Sequence, residues 1–246
     1  MSFPDVQSKE LWLWAAVILV VLFAARKMAK PVIIVLVKPF FAFGMYFFTM
    51  LYNRKVGVKK KELFKLMEKH LEKVEGDILE IGAGTGANFA FYPRGSSVIT
   101  VDPNPYMNYY LRHSKKYYPN VNLKDYIVGS AEDMRKIGDQ SVSVVVSTLV
   151  LCSVESVEQS LKEIIRVLKP GGRFYFLEHV KGKGFTLTLQ KWNQPWWIYF
   201  GDGCRLLQNT EDFIRRAGFK FVECQAFEAH GVGPFIKPHI MGYAEI

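Results

Sequence analysis

Chemistry is concentrated in one stretch of the sequence, Asp77-Ile-Leu-Glu-Ile-Gly-Ala-Gly-Thr-Gly-Ala-Asn88. A short apolar run carrying one acid, Glu80, breaks into Gly82, Gly84 and Gly86. A buried strand that ends in glycines and re-enters a helix predicts a nucleotide-binding turn. Glycine supplies the backbone angles of such a turn and lets a ligand approach the main chain. Twenty positions after Gly82 stands Asp102, at the end of a second strand-like run, Ser97–Val101. That is the place for a carboxylate that accepts both hydroxyls of a ribose. A tight turn with no ligand is the plainer reading of the glycines alone, and Asp102 at this interval argues against it.

The turn reads G-A-G-T-G. It lacks the G-x-G-x-x-G spacing of a dinucleotide fold, and no G-K-[ST] follows for a P-loop. An acid two residues before the first glycine would repel a pyrophosphate and suits a ligand with a positive charge near the turn. "LEIGAGTG" followed by "VDPNP" resembles motifs I and II of the class I S-adenosylmethionine-dependent methyltransferases. The resemblance implies that Glu80, Gly82, Ala83, Gly84 and Gly86 hold the methionine end of S-adenosylmethionine. Asp102, beside Pro103, would hold the ribose. In "GSAEDM", Glu132 or Asp133 would bind the adenine amino group, with Ala131 and Met134 against the ring. An acidic cap on a short helix is the alternative for those acids.

Later motifs narrow the resemblance. "TLVLCSV" follows strand four and places Thr148 and Leu149 at the cofactor and Cys152 nearby, as a catalytic thiol or as a small buried hydrophobe. "RVLKPGG", "EHV", "GDGC" and "GPFIKPHIMGYA" complete the set. From about Val58 to the C-terminus the chain resembles the membrane-associated alkyl-thiol S-methyltransferases of the methyltransferase-like seven group. One departure is Ala83, where that group has cysteine, at a position that contributes mainly backbone. The resemblance implies methylation of small aliphatic thiols, hydrogen sulfide and drug thiols among them. It also implies a place at the endoplasmic reticulum membrane and lipid droplets. His179 and Asp202 are candidate bases for drawing the proton from the thiol. A base is not required by the chemistry, because the cofactor's own positive charge favours a thiolate.

The elements that must position these residues alternate from Asp77 onward. Strands are expected over Asp77–Ile81, Ser97–Val101, Leu123–Val128, Ser143–Thr148, Arg173–Leu177, Lys220–Phe227 and His239–Ala244. Helices are expected over Met107–Tyr118, Glu132–Ile137, Val157–Leu168 and Thr210–Ala217, the third stopped by Lys169-Pro-Gly-Gly172. Such alternation predicts an α/β fold, a doubly wound, mostly parallel seven-stranded sheet with an antiparallel edge. The aromatic stretch Phe185–Cys204, with Trp192 and Trp196, is expected to cover the substrate, or else to be core or a membrane contact.

Ahead of this domain, residues 1–52 form the expected anchor and 53–246 the methyltransferase domain. Leu11–Ala25 is an uninterrupted apolar run of fifteen, short of the ~20 that span a bilayer. A second apolar stretch is broken by Lys38-Pro39. A hairpin or surface-lying anchor, a single spanning helix and a helix buried on the domain all remain open. A cleaved signal peptide is disfavoured by Asp5 and Glu10 and by the length of the apolar region. Gly57–Val74 has the periodicity of an amphipathic helix and is expected to cover a sheet edge.

The formal charge of +9 is local: Arg26 to Lys61 holds nine basic residues and no acid. Removing those nine from 32 leaves 23 basic against 23 acidic residues, so no basic face for nucleic acid is expected. The basic cluster would keep the catalytic domain on the cytosolic side. Three cysteines are too few for a disulfide framework, and no Cys/His spacing suggests a metal site. Nothing in the pattern specifies an oligomer.

Overall fold

The computed structural model describes the backbone from Ser8 to Ile246 and side chains from Val37 onward. Most of the expected anchor, including Leu11–Ala25, therefore lies outside the residues whose side chains are described. Among the described residues, no helix is long and apolar enough to cross a membrane.

Strands β1 (Ile78–Ile81), β2 (Ser97–Asp102), β3 (Asn122–Val128), β4 (Val142–Thr148), β5 (Leu168–His179), β6 (Phe221–Glu228) and β7 (Pro238–Glu245) form one sheet in the order β3-β2-β1-β4-β5-β7-β6. All neighbours are parallel except β7, which runs antiparallel to both β5 and β6. The sheet is thus mixed, with its antiparallel pair at the expected edge. Chain order reverses between β1 and β4, and ligands bind beyond the carboxyl ends of strands at such a point.

Strand alternation sends Leu79, Ile81, Val145, Phe174 and Phe176 to one face, under helices α3 (Val157–Val167) and α5 (Thr210–Arg216). Ile78, Val144, Val146, Tyr175 and Leu177 point to the other face. There they meet α1 (Ser8–Leu71) and α2 (Met107–Lys115). The amphipathic stretch of α1 covers this face of the sheet and not its edge. Ala42, Tyr52, Val56, Lys60, Leu63, Phe64 and Met67 recur at three- or four-residue steps, or multiples of them, and are all buried.

Helix α1 runs through Lys38-Pro39, where a break was expected, and across the expected boundary at residue 52. An interior proline costs about 3 kcal/mol. Burial of Val56, Leu63, Phe64 and Met67, at roughly 1.5–3 kcal/mol each, holds the C-terminal part of the helix on the domain.

Two further expectations fail locally. No helix follows the glycine turn: residues 82–92 are successive turns closed by Gly86 N–H to Ala83 O and Phe89 N–H to Gly86 O. Gly86, at φ +81°, is incompatible with helical continuation. The short helix over Glu132–Ile137 is also a set of turns. Arg166 of α3 donates to Met134 O (2.9 Å) and Ile137 O (3.0 Å), and Glu163 accepts from Met134 N–H (2.8 Å). These tertiary bonds replace the helical ones. The aromatic stretch Phe185–Cys204, which is not among the helices expected from the sequence, forms helix α4 (Gly184–Phe200), which contains Pro195.

Candidate active site

Asp102 ends β2 and is 4% exposed. Its Oδ2 accepts from Gly84 N–H (2.9 Å) and its Oδ1 from Asn104 N–H (2.8 Å). Each oxygen keeps a lone pair for a ligand. Burial pushes this carboxyl up to about 6 despite the two backbone donors. Gly82 (φ +58°) and Gly84 (φ +53°) line the same cavity as Asp102. A Cβ on Gly84 would meet only Gly82 O, at 3.9 Å, so a side chain there would fill ligand space. Gly86 serves differently: its Cβ would lie 2.7 Å from the ring of Phe89, outside the cavity.

This cavity, of about 500 Å³, is also lined by Ala83, Pro103, Asn104, Ala131, Glu132, Thr148 and Leu149. Nine of the expected cofactor residues therefore converge: Gly82, Ala83, Gly84, Asp102, Pro103, Ala131, Glu132, Thr148 and Leu149. Two at the adenine end do not. Asp133 is exposed and paired with Arg135 (2.7 Å), and Met134 is buried in the core under α3. Glu132 reaches the cavity, but its Oε1 already accepts from Glu155 N–H (2.6 Å) and its Oε2 from Ser130 Oγ (2.5 Å).

Glu80 corrects a sharper expectation. It lies beneath the turn, 1% exposed, with Oε1 bonded by Asn88 (2.7 Å) and Oε2 by Tyr92 (2.8 Å). Asn88 also accepts from Lys60 Nζ (2.9 Å) and donates to Thr148 Oγ1 (3.0 Å). The positive charge facing Glu80 is therefore supplied by the protein's own Lys60, fully buried on α1. Burial pushes Glu80 up to about 7 and Lys60 down to about 7.

A second cavity, of about 460 Å³, adjoins the first across Phe41, Met45, Phe48, Leu149 and Ser153. Its wall is apolar apart from Ser153 and one cluster, Cys152, His179 and Cys204. His179 Nε2 lies 3.0 Å from Cys204 Sγ, which also accepts from Trp197 Nε1 (3.1 Å). The Cys152 thiol and the Trp197 N–H hold Cys204 below the ordinary thiol range against burial, while Cys204 and burial push Cys152 up. Burial opposes charge on His179, and Cys152 outweighs it, so the imidazole is raised.

Asp202, the other candidate base, opens into the cofactor cavity and not into this one. Burial raises its carboxyl, with Lys38 opposing. Trp192 and Trp196, expected over the substrate, are 77% and 71% exposed. Helical periodicity puts them on the outer face of α4, and Trp197 and Phe200 line the cavity instead.

Helix α1 is the large component that sequence reasoning missed. Phe41, Met45, Phe48, Thr49 and Tyr52 wall the cofactor cavity, Thr49 accepts from Thr85 Oγ1 (3.1 Å), and Asn53 donates to Ala87 O (2.8 Å). Their only sequence signal is the stripe of buried positions continuing upstream from Leu63.

A seven-stranded sheet of this order, with a glycine turn and a buried acid at its switch point, defines a class I methyltransferase. A methyltransferase-domain family model matches residues 79–176. The chain is 38% identical over 219 residues to human thiol S-methyltransferase TMT1A, covering 84% of this chain and 86% of that one. It is 39% identical to human thiol S-methyltransferase TMT1B, covering 85% and 87%. A solved S-adenosylmethionine-dependent methyltransferase from Thermotoga maritima superposes with a TM-score of 0.57 at 22% identity, covering 81% of this chain and 94% of that one, and supports the fold alone. The chain belongs to the thiol S-methyltransferase family within the class I S-adenosylmethionine-dependent enzymes.

Proposed function

We propose that the protein methylates small apolar thiols from S-adenosylmethionine while resting on a membrane surface. The observation that carries this reading is the pair of adjoining cavities. One has a buried acid and a glycine-built wall, and the other is apolar and ends in sulfur and imidazole.

S-adenosylmethionine, when bound, supplies a methyl group on a positively charged sulfur. The residues present fit it, since Asp102 offers two free lone pairs to ribose hydroxyls and Gly82 and Gly84 leave the main chain open. Leu149 and Ser153, shared by both cavities, form the border at which the two ligands meet. Phe41, Phe48, Trp197 and Phe200 exclude water around the thiol. Of the two candidate bases, His179 lines the thiol cavity and Asp202 does not.

Among the described residues, no lysine or arginine lines the apolar cavity to balance a carboxylate. Burying an unpaired charge is costly. Glutathione should therefore turn over at least ten-fold more slowly than a small alkyl thiol of similar pKa, measured as kcat/KM. Equal values would contradict an apolar thiol site. Quinone and RNA are the alternative acceptors, and the even charge outside Arg26–Lys61 disfavours RNA.

The membrane reading is supported by an exposed apolar band. Phe40, Phe43, Phe47, Met50 and Leu51 on α1 and Trp192, Trp196, Tyr199 and Phe200 on α4 are all exposed, and the two helices pack together. Aromatic side chains and an adjacent basic segment suit a bilayer interface. The upstream apolar run Leu11–Ala25 would add the anchor. The proposed location is the endoplasmic reticulum membrane and lipid droplets, with the catalytic domain facing the cytosol.

Removing residues 1–36 should release the protein from lipid vesicles in high salt, while the full chain stays bound, because salt does not screen the apolar contribution. Retention of the truncated protein would move the anchor to the band on α1 and α4.

A further inference from the structure

The cluster at the end of the apolar cavity has more structure than a proton acceptor needs. Cys152 Sγ, a ring nitrogen of His179 and Cys204 Sγ all lie within 4.8 Å of one another, and all three residues are buried. They come from three segments that the fold brings together. Cys152 follows β4 just after Leu149, which is held at φ +59°. His179 ends β5. Cys204 follows α4 in the Gly-Asp-Gly-Cys turn, of which only Asp202 lines the cofactor cavity.

That turn is costly to build. Asp202 (φ +47°) and Gly203 (φ +91°) both occupy the left-handed region, which a non-glycine residue such as Asp202 adopts only at a cost. A Cβ on Gly203 would lie 3.1 Å from Ser153 O, and Arg205 N–H bonds Cys152 O (2.8 Å). The turn is thus fastened to the Cys152 loop and brings Cys204 close to Cys152 and His179. Trp197 Nε1 donates to Cys204 Sγ at 3.1 Å, the kind of outer donor that steadies a ligating thiolate. His179 Nδ1 is buried without a hydrogen-bond partner among the described residues, and Nε2 lies against Cys204 Sγ.

Two thiols and an imidazole are a soft donor set, suited to zinc. Zinc–sulfur and zinc–nitrogen bonds of about 2.3 and 2.0 Å place tetrahedral ligand atoms roughly 3.4–3.8 Å apart. The 3.0 Å between His179 Nε2 and Cys204 Sγ needs only a few tenths of an ångström of opening. All three residues line the apolar cavity, so a fourth position faces it. Three protein ligands with one open position is the arrangement of a catalytic site, not a structural one.

The geometry points to a zinc-class ion held by Cys152, His179 and Cys204, whose open position takes the sulfur of the acceptor thiol. This rests on the thiol-transfer reading above and adds how the thiol is held. On binding, the thiol's S–H bond breaks and its proton leaves to solvent. The electron pair stays on sulfur and forms the bond to the ion, and no oxidant or reductant is needed. A lone pair on that sulfur then forms the bond to the methyl carbon, while the S–CH3 bond of S-adenosylmethionine breaks and its electron pair stays on the departing S-adenosylhomocysteine. The methylated product is a neutral thioether, a weaker ligand than a thiolate, and leaves.

The test uses the full-length protein without a polyhistidine tag, stripped with chelator and reconstituted with cobalt(II) as a spectroscopic probe. One equivalent should bind and give thiolate-to-cobalt charge-transfer bands with the intense visible bands of four-coordinate cobalt. A small alkyl thiol should shift those bands, and S-adenosylmethionine alone should not. Cys204→Ser and Cys152→Ser should each weaken the charge-transfer band and lower cobalt affinity at least ten-fold, with an unchanged melting temperature in the stripped state. Cys224→Ser, on β6 away from the cluster, is the control and should behave as the parent. Stripped protein that methylates thiols at the full rate and gives only the aqueous cobalt spectrum would overturn the metal site and leave the transferase reading intact. Bands that depend on both cysteines but ignore the thiol would overturn the open position.

Discussion

Asp102→Ala should lower S-adenosylmethionine affinity at least ten-fold by titration calorimetry. Hydrogen bonds to a charged acceptor contribute about 1.5–3 kcal/mol each, and the carboxylate has one free lone pair on each oxygen for a ribose hydroxyl. The substitution also strips an acceptor from Gly84 N–H and Asn104 N–H. Asp102→Asn, which retains one acceptor, therefore separates the two losses: its fold should be closer to the parent and its affinity still reduced.

The pH dependence is a second signature of the same residue. Burial raises the Asp102 carboxyl to about 6, so the ligand-free folded protein binds more protons there than the unfolded chain between about 4 and 6. Its contribution to stability falls as pH rises through that window. Ribose hydroxyls favour the ionised form, so cofactor affinity should rise with pH up to about 6 and then level off. Asp102→Asn should remove that rise. An affinity unchanged in Asp102→Ala would remove Asp102 from the site.

Lys60→Met should be the most destabilising single change in the cofactor half of the molecule. Lys60 is fully buried, Glu80 is 1% exposed, and Asn88 bridges them. Removing one member of a buried charge pair costs about 3–5 kcal/mol, or about 6–20 °C in a chain of this size. Glu80 is already raised to about 7 with Lys60 pulling it down, so without Lys60 it rises further.

A raised carboxyl holds a proton in the folded state that the unfolded chain has released, so the folded state loses ground as pH rises from about 4.5. The Lys60→Met deficit should therefore be smaller at pH 5.5 than at pH 8. Glu80→Gln added to Lys60→Met should recover part of it. A melting temperature within 2 °C of the parent at pH 8 would mean that the pair carries no stability.

What the sequence disclosed follows from distance along the chain. The glycine turn and Asp102 belong to adjoining strands, so their spacing alone brings them to one cavity. The alternation of strands and helices and the antiparallel edge also follow from local patterns. Lys60 was hidden because a lysine in an amphipathic helix usually faces water, and burial is decided here by Asn88 and Glu80 on another segment. Trp197 was hidden behind Trp192 and Trp196 because the stretch was not assigned a helical period. Cys152, His179 and Cys204 sit far apart in sequence and meet only when β4, β5 and the turn after α4 are assembled. The structure also gives the Gly-Asp-Gly-Cys motif its physical reason: backbone freedom and close packing.

The identity of the methylated atom tests the central claim most directly. Purified full-length protein with methyl-labelled S-adenosylmethionine should be offered small alkyl thiols, hydrogen sulfide, phenols, a quinol and RNA side by side. Label should appear on sulfur, in products that mass spectrometry identifies as thioethers or methanethiol, and Asp102→Ala should abolish it at limiting cofactor. Label on oxygen or on RNA, with no thioether formed from any thiol, would contradict the assignment.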